Sequence, residues 1–243
     1  IWLHGCSVLT AITAQNTKNI HSIEPVSERF IQTQWNSMIK DLAPNIIKSG
    51  MLANAAMIVA DLLEANPMIP YICDPVIQST SGKNLISQES MSILKKRILP
   101  RATLITPNIP EAQKLIGSNE SNTELLAKAL MNEGANAVLI KGGHSKNDYC
   151  EDLFMDKKQC ILMQSERINT RSTHGTGCVL SAAIAALHAR GESLPNAVEK
   201  AKNYINGNLK RSPNLGEGNG PLPLYTPCNE DISRTNIKRK TLQ

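Results

Sequence analysis

The chain has 243 residues, 41% hydrophobic and 19% charged, with a formal charge of +5; this is the balance of an ordinary globular protein and argues against disorder. Aromatic residues make up 3%, too few for a platform on which nucleic-acid bases stack, and no run reaches the roughly 18 apolar residues that a membrane span needs. Six cysteines (Cys6, Cys73, Cys150, Cys160, Cys178 and Cys228) show no CxxC pair and no framework spacing, which argues against a zinc site or a secreted disulfide scaffold and for a soluble protein of the reducing cytoplasm.

Short apolar runs alternate with longer amphipathic ones, the pattern of βα units around a mainly parallel sheet. The chain opens on Ile1, and Trp2-Leu3 reads as the last turn of a helix; the apolar stretch 1–14 lacks the basic leader of a signal peptide. Residues 7–14 predict a strand and 27–42 a helix, followed by strand 45–48, helix 53–65, strand 71–73 and helix 88–98. Strand 103–105, helix 110–115 and helix 123–133 come next, the last with Ser121 and Glu124 as a capping-box signature. Strands 137–141, 152–155 and 160–167 follow, then helices 176–189 and 194–210. No internal repeat or second domain is visible. A domain over 1–225 is expected, with 226–243 as a polar, disordered tail or a linker.

Ligands of open α/β sheets gather outside the carboxyl ends of the strands. Polar or small residues follow nearly every predicted strand: Gln15-Asn16, Ser49-Gly50-Met51, Asp74-Pro75-Val76, Thr106-Pro107-Asn108 and Gly142-Gly143-His144. The sharpest signal is Thr173-His174-Gly175-Thr176-Gly177-Cys178, directly before the Ala-rich run 179–187. Two glycines let the backbone turn tightly at a helix start, where unpaired amides and the helix dipole favour a phosphate. Such a segment also serves elsewhere as a plain tight turn. Likewise Asp74 before Pro75 could open a turn, Glu111 could cap a helix, and Met51 could be a core residue.

Together these segments resemble the hydroxymethylpyrimidine phosphate kinases of the ribokinase superfamily. The likeness is carried in order by 13–17 (TAQNT), 48–52 (KSGML), Asp74-Pro75-Val76, Thr106-Pro107-Asn108 with Glu111-Ala112, Lys141-Gly142-Gly143-His144, Thr170-Arg171 with the Thr-His-Gly-Thr-Gly-Cys block, and Gly218-Asn219-Gly220-Pro221. The resemblance implies a ribokinase-like three-layer α/β fold with helices on both faces of the sheet. It also implies transfer of phosphate from ATP, with Mg²⁺, to a hydroxymethylpyrimidine and to its monophosphate in thiamine biosynthesis. Gly175, Thr176 and Gly177 would form the anion hole, with Cys178 as the base. A thiol at a helix N-terminus has its pKa lowered, so a thiolate near neutral pH is expected there.

The resemblance further places Lys141, Asn108 and Thr173 at the ATP phosphates, Asp74 and Glu111 at the metal, and Gln15, Met51 and Val76 around the pyrimidine. A homodimer is common in the family, and the tail could link to another thiamine enzyme; neither nucleic acid nor membrane is an expected partner. The family carries a glycine-rich strand ahead of the position of Ile1, with an acidic residue at the pyrimidine, so the chain reads as a family domain without its first strand, with lowered stability and activity. The rival readings are a pyridoxal kinase and a catalytically idle pyrimidine-binding module of a fusion protein.

Overall fold

In the computed structural model the described residues are 3–79, 82–143, 148–224 and 238–242. Trp2, His144 and Cys228 therefore lie outside the described residues, and Leu3 belongs to no regular element. Seven strands build the central sheet: β3 (Ile47–Ser49), β4 (Tyr71–Cys73), β5 (Leu104–Ile105), β6 (Ala137–Ile140), β7 (Tyr149–Asp156), β8 (Cys160–Glu166) and β9 (Lys238–Leu242), in that spatial order. Strands β3 to β6 run parallel, and β7 to β9 continue the sheet antiparallel.

Side chains alternate across the sheet, and each face has its own cover. Tyr71, Cys73, Ile105, Val138 and Ile140 pack with α2 (Ala56–Ala65), α3 (Gln88–Ile93), α4 (Ile109–Ile116) and α5 (Thr123–Asn132). Their neighbours Ile72, Leu104, Ala137 and Leu139 pack with α6 (Thr176–Ala189) and α7 (Leu194–Lys210) on the other face. This is the three-layer α/β arrangement the sequence predicts. The remaining helix, α1 (Glu28–Ile39), buries Ile31 and Trp35 against Ala55 and Leu62. The predicted helix 88–98 holds together but widens into a π-helical turn over Leu94–Ile98 and closes with a 3-10 turn at Leu99–Arg101, where Pro100 has no amide to donate.

Three expectations need correction. The strand expected at 7–14 lies outside the central sheet: β1 (Ala11–Gln15) pairs antiparallel with β2 (Ile20–Pro25) as a separate two-stranded ribbon. Its residues are half-buried or exposed, whereas strands enclosed in a parallel sheet are continuously apolar. The cap of α5 is Asn122, whose side chain accepts from the amides of Glu124 and Leu125, and not Ser121. The expected loose tail holds for none of 238–242, whose backbone pairs with β8 and supplies the sheet edge.

Two sets of contacts fix the ribbon. The Thr10 hydroxyl donates to the Met51 carbonyl at 2.8 Å, tying the ribbon's start to the loop after β3. At its other end Thr17 accepts from the Asn219 amide through its carbonyl, at 2.9 Å, and from the Gly218 amide through its hydroxyl, at 3.2 Å. A Cβ on Gly218 would lie 2.3 Å from the Thr17 carbonyl oxygen, so only glycine allows this approach. Gly220 then donates to Arg171 and accepts from His174, joining this strap to the turn that opens α6.

A buried ion pair holds the corner after β6. The Asp152 carboxylate accepts from the Gly142 amide at 2.9 Å and pairs with the Lys202 ammonium, and both side chains are buried. A Cβ on Gly142 would overlap the Glu151 carbonyl oxygen, 1.8 Å away. Asp152→Ala strands a buried ammonium and should cost about 3–5 kcal/mol, whereas Asp152→Ala with Lys202→Met should recover part of that loss. Urea unfolding of the two variants measures the difference.

Candidate active site

The carboxyl ends of β4, β5 and β6 converge on one buried cluster. Asp74 follows β4, and its Oδ1 accepts from Lys141 Nζ at 2.9 Å and from the Thr106 hydroxyl at 3.1 Å. Lys141 follows β6; its amide donates to the Pro107 carbonyl at 2.9 Å, which aligns it with the loop after β5. The same ammonium stands 4.0 Å from Glu111 Oε2. Asn108 and Glu111 form a reciprocal capping box at the start of α4, each backbone amide donating to the other's side chain at 2.8 Å. Capping and a place at the cluster are thus compatible roles for Glu111.

The start of α6 closes over this cluster. Gly175 adopts a left-handed backbone, φ 83°, which glycine tolerates without strain. Thr173 is exposed and supplies the turn through its carbonyl, accepting from the Thr176 amide at 3.3 Å and the Thr176 hydroxyl at 3.0 Å. The first turn of a helix leaves its amides without intrahelical partners, and here it abuts the ion pair. A Cβ on Gly177 would come 3.2 Å from Lys141 Nζ and 3.8 Å from Asp74 Oδ2. Ser181, fully buried, donates toward Asp74 Oδ2 at 3.3 Å while lying 3.0 Å from the Gly177 carbonyl.

Of the residues predicted for phosphate and metal, Asp74, Asn108, Glu111, Lys141 and Gly177 therefore meet in one place, with Cys178 as the third residue of α6 beside them. Val76 and Gly50, together with Cys73 and Asp74, line a crevice between the ends of β3 and β4. Met51 is the next residue, and Thr10 holds its carbonyl. Gln15 stands exposed at the end of β1, and among the described residues no hydrogen bond of its side chain reaches the strand ends. Sequence reasoning missed Ser181, Thr106 as a partner of Asp74, and Lys48. A hint for Ser181 was available, since it lies three residues after Cys178 on the same helical face.

Charge in the cluster is unevenly balanced. Burial works against the Lys141 ammonium, but Asp74 and Glu111 more than offset it and raise its pKa. Glu111 is pushed above the usual carboxylate range, first by burial and further by Asp74, against the pull of Lys141. Cys178 corrects the expectation of a thiolate. Its thiol is held above the ordinary value, first by the protein packed around it and then by Asp74 and Glu111, despite Lys48 and Lys141. The residue still reaches solvent, and Lys48 is the strongest of the charges on it and lowers the thiol, so burial is what holds the thiol up against the two ammonium groups and the α6 dipole.

The phosphomethylpyrimidine kinase family model matches residues 1–223. A hydroxymethylpyrimidine/phosphomethylpyrimidine kinase of Haemophilus influenzae is 41% identical over 227 residues, 89% of this chain and 84% of that protein. The thiamine biosynthesis bifunctional protein ThiED of Geobacter sulfurreducens is 40% identical over 225 residues, 90% of this chain but 46% of that protein. Among solved structures, a pyridoxal kinase of Staphylococcus aureus in complex with AMP-PCP superposes with a TM-score of 0.83 at 25% identity, covering 97% of this chain and 87% of that one. A phosphomethylpyrimidine kinase of Clostridium difficile gives 0.72 at 32% identity, covering 84% and 85%.

The raised thiol makes a measurable statement. Iodoacetamide labelling of Cys178, followed by peptide mass spectrometry, should accelerate with pH through a midpoint above the ordinary thiol value, because the thiolate is the reacting form. A midpoint at or below neutrality would reinstate the thiolate expected from helix position.

Proposed function

The chain belongs to the phosphomethylpyrimidine kinase family, and from that premise we propose that it transfers phosphate from ATP to 4-amino-5-hydroxymethyl-2-methylpyrimidine and then to the resulting monophosphate. The observation that carries this reading is the contact between the glycine turn of α6 and the Lys141–Asp74 pair. It joins an amide-lined anion site to a fixed cation at the carboxyl edge of the sheet. The AMP-PCP complex of the Staphylococcus aureus relative supports ATP as donor. The domain that acts is taken as 1–225, and the Geobacter bifunctional protein supports a fusion as one setting for it. No described helix is long and apolar enough to cross a membrane, and the five described cysteines are free thiols, as suits a cytoplasmic enzyme.

In the first transfer the hydroxymethyl oxygen attacks the γ-phosphorus, the bond from that phosphorus to the bridging oxygen breaks, and ADP leaves. Cys178 receives the hydroxyl proton. A thiol held above its usual value is rarely a thiolate at neutral pH but is a stronger base when it is one. Rate should therefore rise with pH through the thiol's range. The amides of Gly175 and Gly177, the Thr176 amide on leaving the Thr173 carbonyl, and the Lys141 ammonium would hold the transferring phosphate in position, which is most of what phosphoryl transfer requires of a protein. In the second transfer the acceptor oxygen is already anionic, so charge neutralisation matters more than a base.

Asp74 and Glu111 fit a hydrated Mg²⁺. Two carboxylates share the single ammonium of Lys141, so the cluster has room for a second positive charge. Magnesium uses one or two carboxylates and keeps several waters. When bound it would shield the phosphate charge. Asp74→Asn and Glu111→Gln should each shift the Mg²⁺ requirement upward and lower turnover with the fold retained. A magnesium titration of each, alongside circular dichroism, checks this; unmoved midpoints would reduce both residues to structural partners of Lys141.

Pyridoxal is the second acceptor to consider, because the Staphylococcus aureus pyridoxal kinase shares the fold so fully. The higher identity to the pyrimidine kinase of Haemophilus influenzae favours the pyrimidine. An ADP-release assay with hydroxymethylpyrimidine, its monophosphate and pyridoxal should show faster turnover of the two pyrimidines. In the same assay Cys178→Ala should reduce the alcohol step roughly 10²–10⁴-fold and remove its rise with pH, while ATP binding persists. Wild-type turnover in that variant would dismiss Cys178 as the base.

A further inference from the structure

Lys48 is a cation at this site that the roles above do not use. It is the middle residue of β3 and pairs with Ile72 of β4. Ile72 packs into the α6–α7 core, and paired residues of neighbouring strands share a face, so Lys48 points to the side of the sheet where α6 begins. Its ammonium has reached the carboxyl end of the strand, 3.2 Å from where a Cβ on Gly50 would be. There it is half-buried and is the strongest of the charges that act on Cys178.

The two cations around Cys178 differ in one respect. Lys141 is neutralised by Asp74 and Glu111. Among the described residues Lys48 has no carboxylate within ion-pair distance. A half-buried ammonium without a counter-charge attracts an anion from solution. Its place beside Gly50, which lines the crevice with Val76, puts it at the β3 side of the site, next to the residues proposed for the pyrimidine.

We infer that Lys48 is the acceptor-side cation, whose ammonium holds the phosphate of the phosphomethylpyrimidine during the second transfer and so sets the preference between monophosphate and alcohol. This rests on the kinase reading above. In the second transfer an oxygen of the acceptor's phosphate attacks the γ-phosphorus and ADP leaves, as in the first. Lys48 would bind a different oxygen of that phosphate and donate without losing its proton. The glycine turn and Lys141 remain for the donor's phosphates.

The test compares Lys48→Met and Lys48→Arg with the wild type. For Lys48→Met the Kd of the monophosphate, measured by calorimetry without ATP, should rise roughly 10–100-fold, the scale of one lost charge-assisted hydrogen bond. The ratio of kcat/KM for the monophosphate to that for the alcohol should fall about tenfold or more, and Lys48→Arg should restore most of both. An unchanged ratio, or an unchanged Kd in Lys48→Met, overturns the inference. If Lys48→Met fails to fold, Lys48→Gln takes its place under the same criteria. A wild type that binds the monophosphate through Lys48 yet turns over neither acceptor would fault the kinase reading and leave the Lys48 assignment supported.

Discussion

The ammonium of Lys141 is 2.9 Å from one carboxylate and 4.0 Å from a second, and the rest of the site is arranged around this contact. Asp74 comes from the end of β4, Glu111 from the first turn of α4 and Lys141 from the end of β6, so the parallel part of the sheet brings together residues up to 67 positions apart. Each is held by its own support. Thr106 and Ser181 bind Asp74, Asn108 caps onto Glu111, and the Asp152–Lys202 pair fixes the Gly142 corner that follows Lys141. Burying such a pair costs desolvation, and the Coulomb attraction offsets this only when the remaining polar atoms find partners. The surrounding hydroxyls and amides do that, which holds the charges in place at the carboxyl edge of the sheet.

The glycine turn of α6 adds backbone amides to these charges. Gly177 packs against both members of the pair, so any side chain there would press on the cation. Lys48 approaches the same point from β3. Two ammonium groups thus act on Cys178, in the first turn of α6, and among the described residues only that of Lys141 is matched by carboxylates.

Much of this was legible in the sequence. Strand β4 and helices α6 and α7 have the bounds read from the pattern, because a three-residue apolar run between loops, or a long apolar stripe after a Gly or Ser, admits little else. The phosphate and metal candidates were legible as residues that follow strands. The ribbon was not: Ile20–Pro25 alternates too weakly to announce a strand, and its partner is separated from it by a turn without an Asn-Gly or Asp-Gly signal. Nor was β9, whose Lys-Arg-Lys-Thr-Leu sequence looks solvated. The Cys178 thiol shows the deeper reason. Its helix position is local and can be read, but the burial that raises it, and the charges of Lys48, Asp74, Lys141 and Glu111 that act on it, come together only on folding.

A two-stranded ribbon by itself is barely stable in water, and β1–β2 is tied to the body by the Thr10–Met51 contact at one end and, at the other, by Thr17 with Gly218 and Asn219 and by the Lys18–Glu217 ion pair. Its order is therefore borrowed from these tethers. The ribbon forms its own unit of local unfolding, with an opening free energy below that of the whole domain. The tethers lead to Met51 and, through Gly220, to His174 in the glycine turn of α6, so a ligand that steadies either anchor lowers the population of ribbon-open molecules. Occupancy of the site would be written in the amide-exchange rates of residues 11–25, some of which no substrate touches.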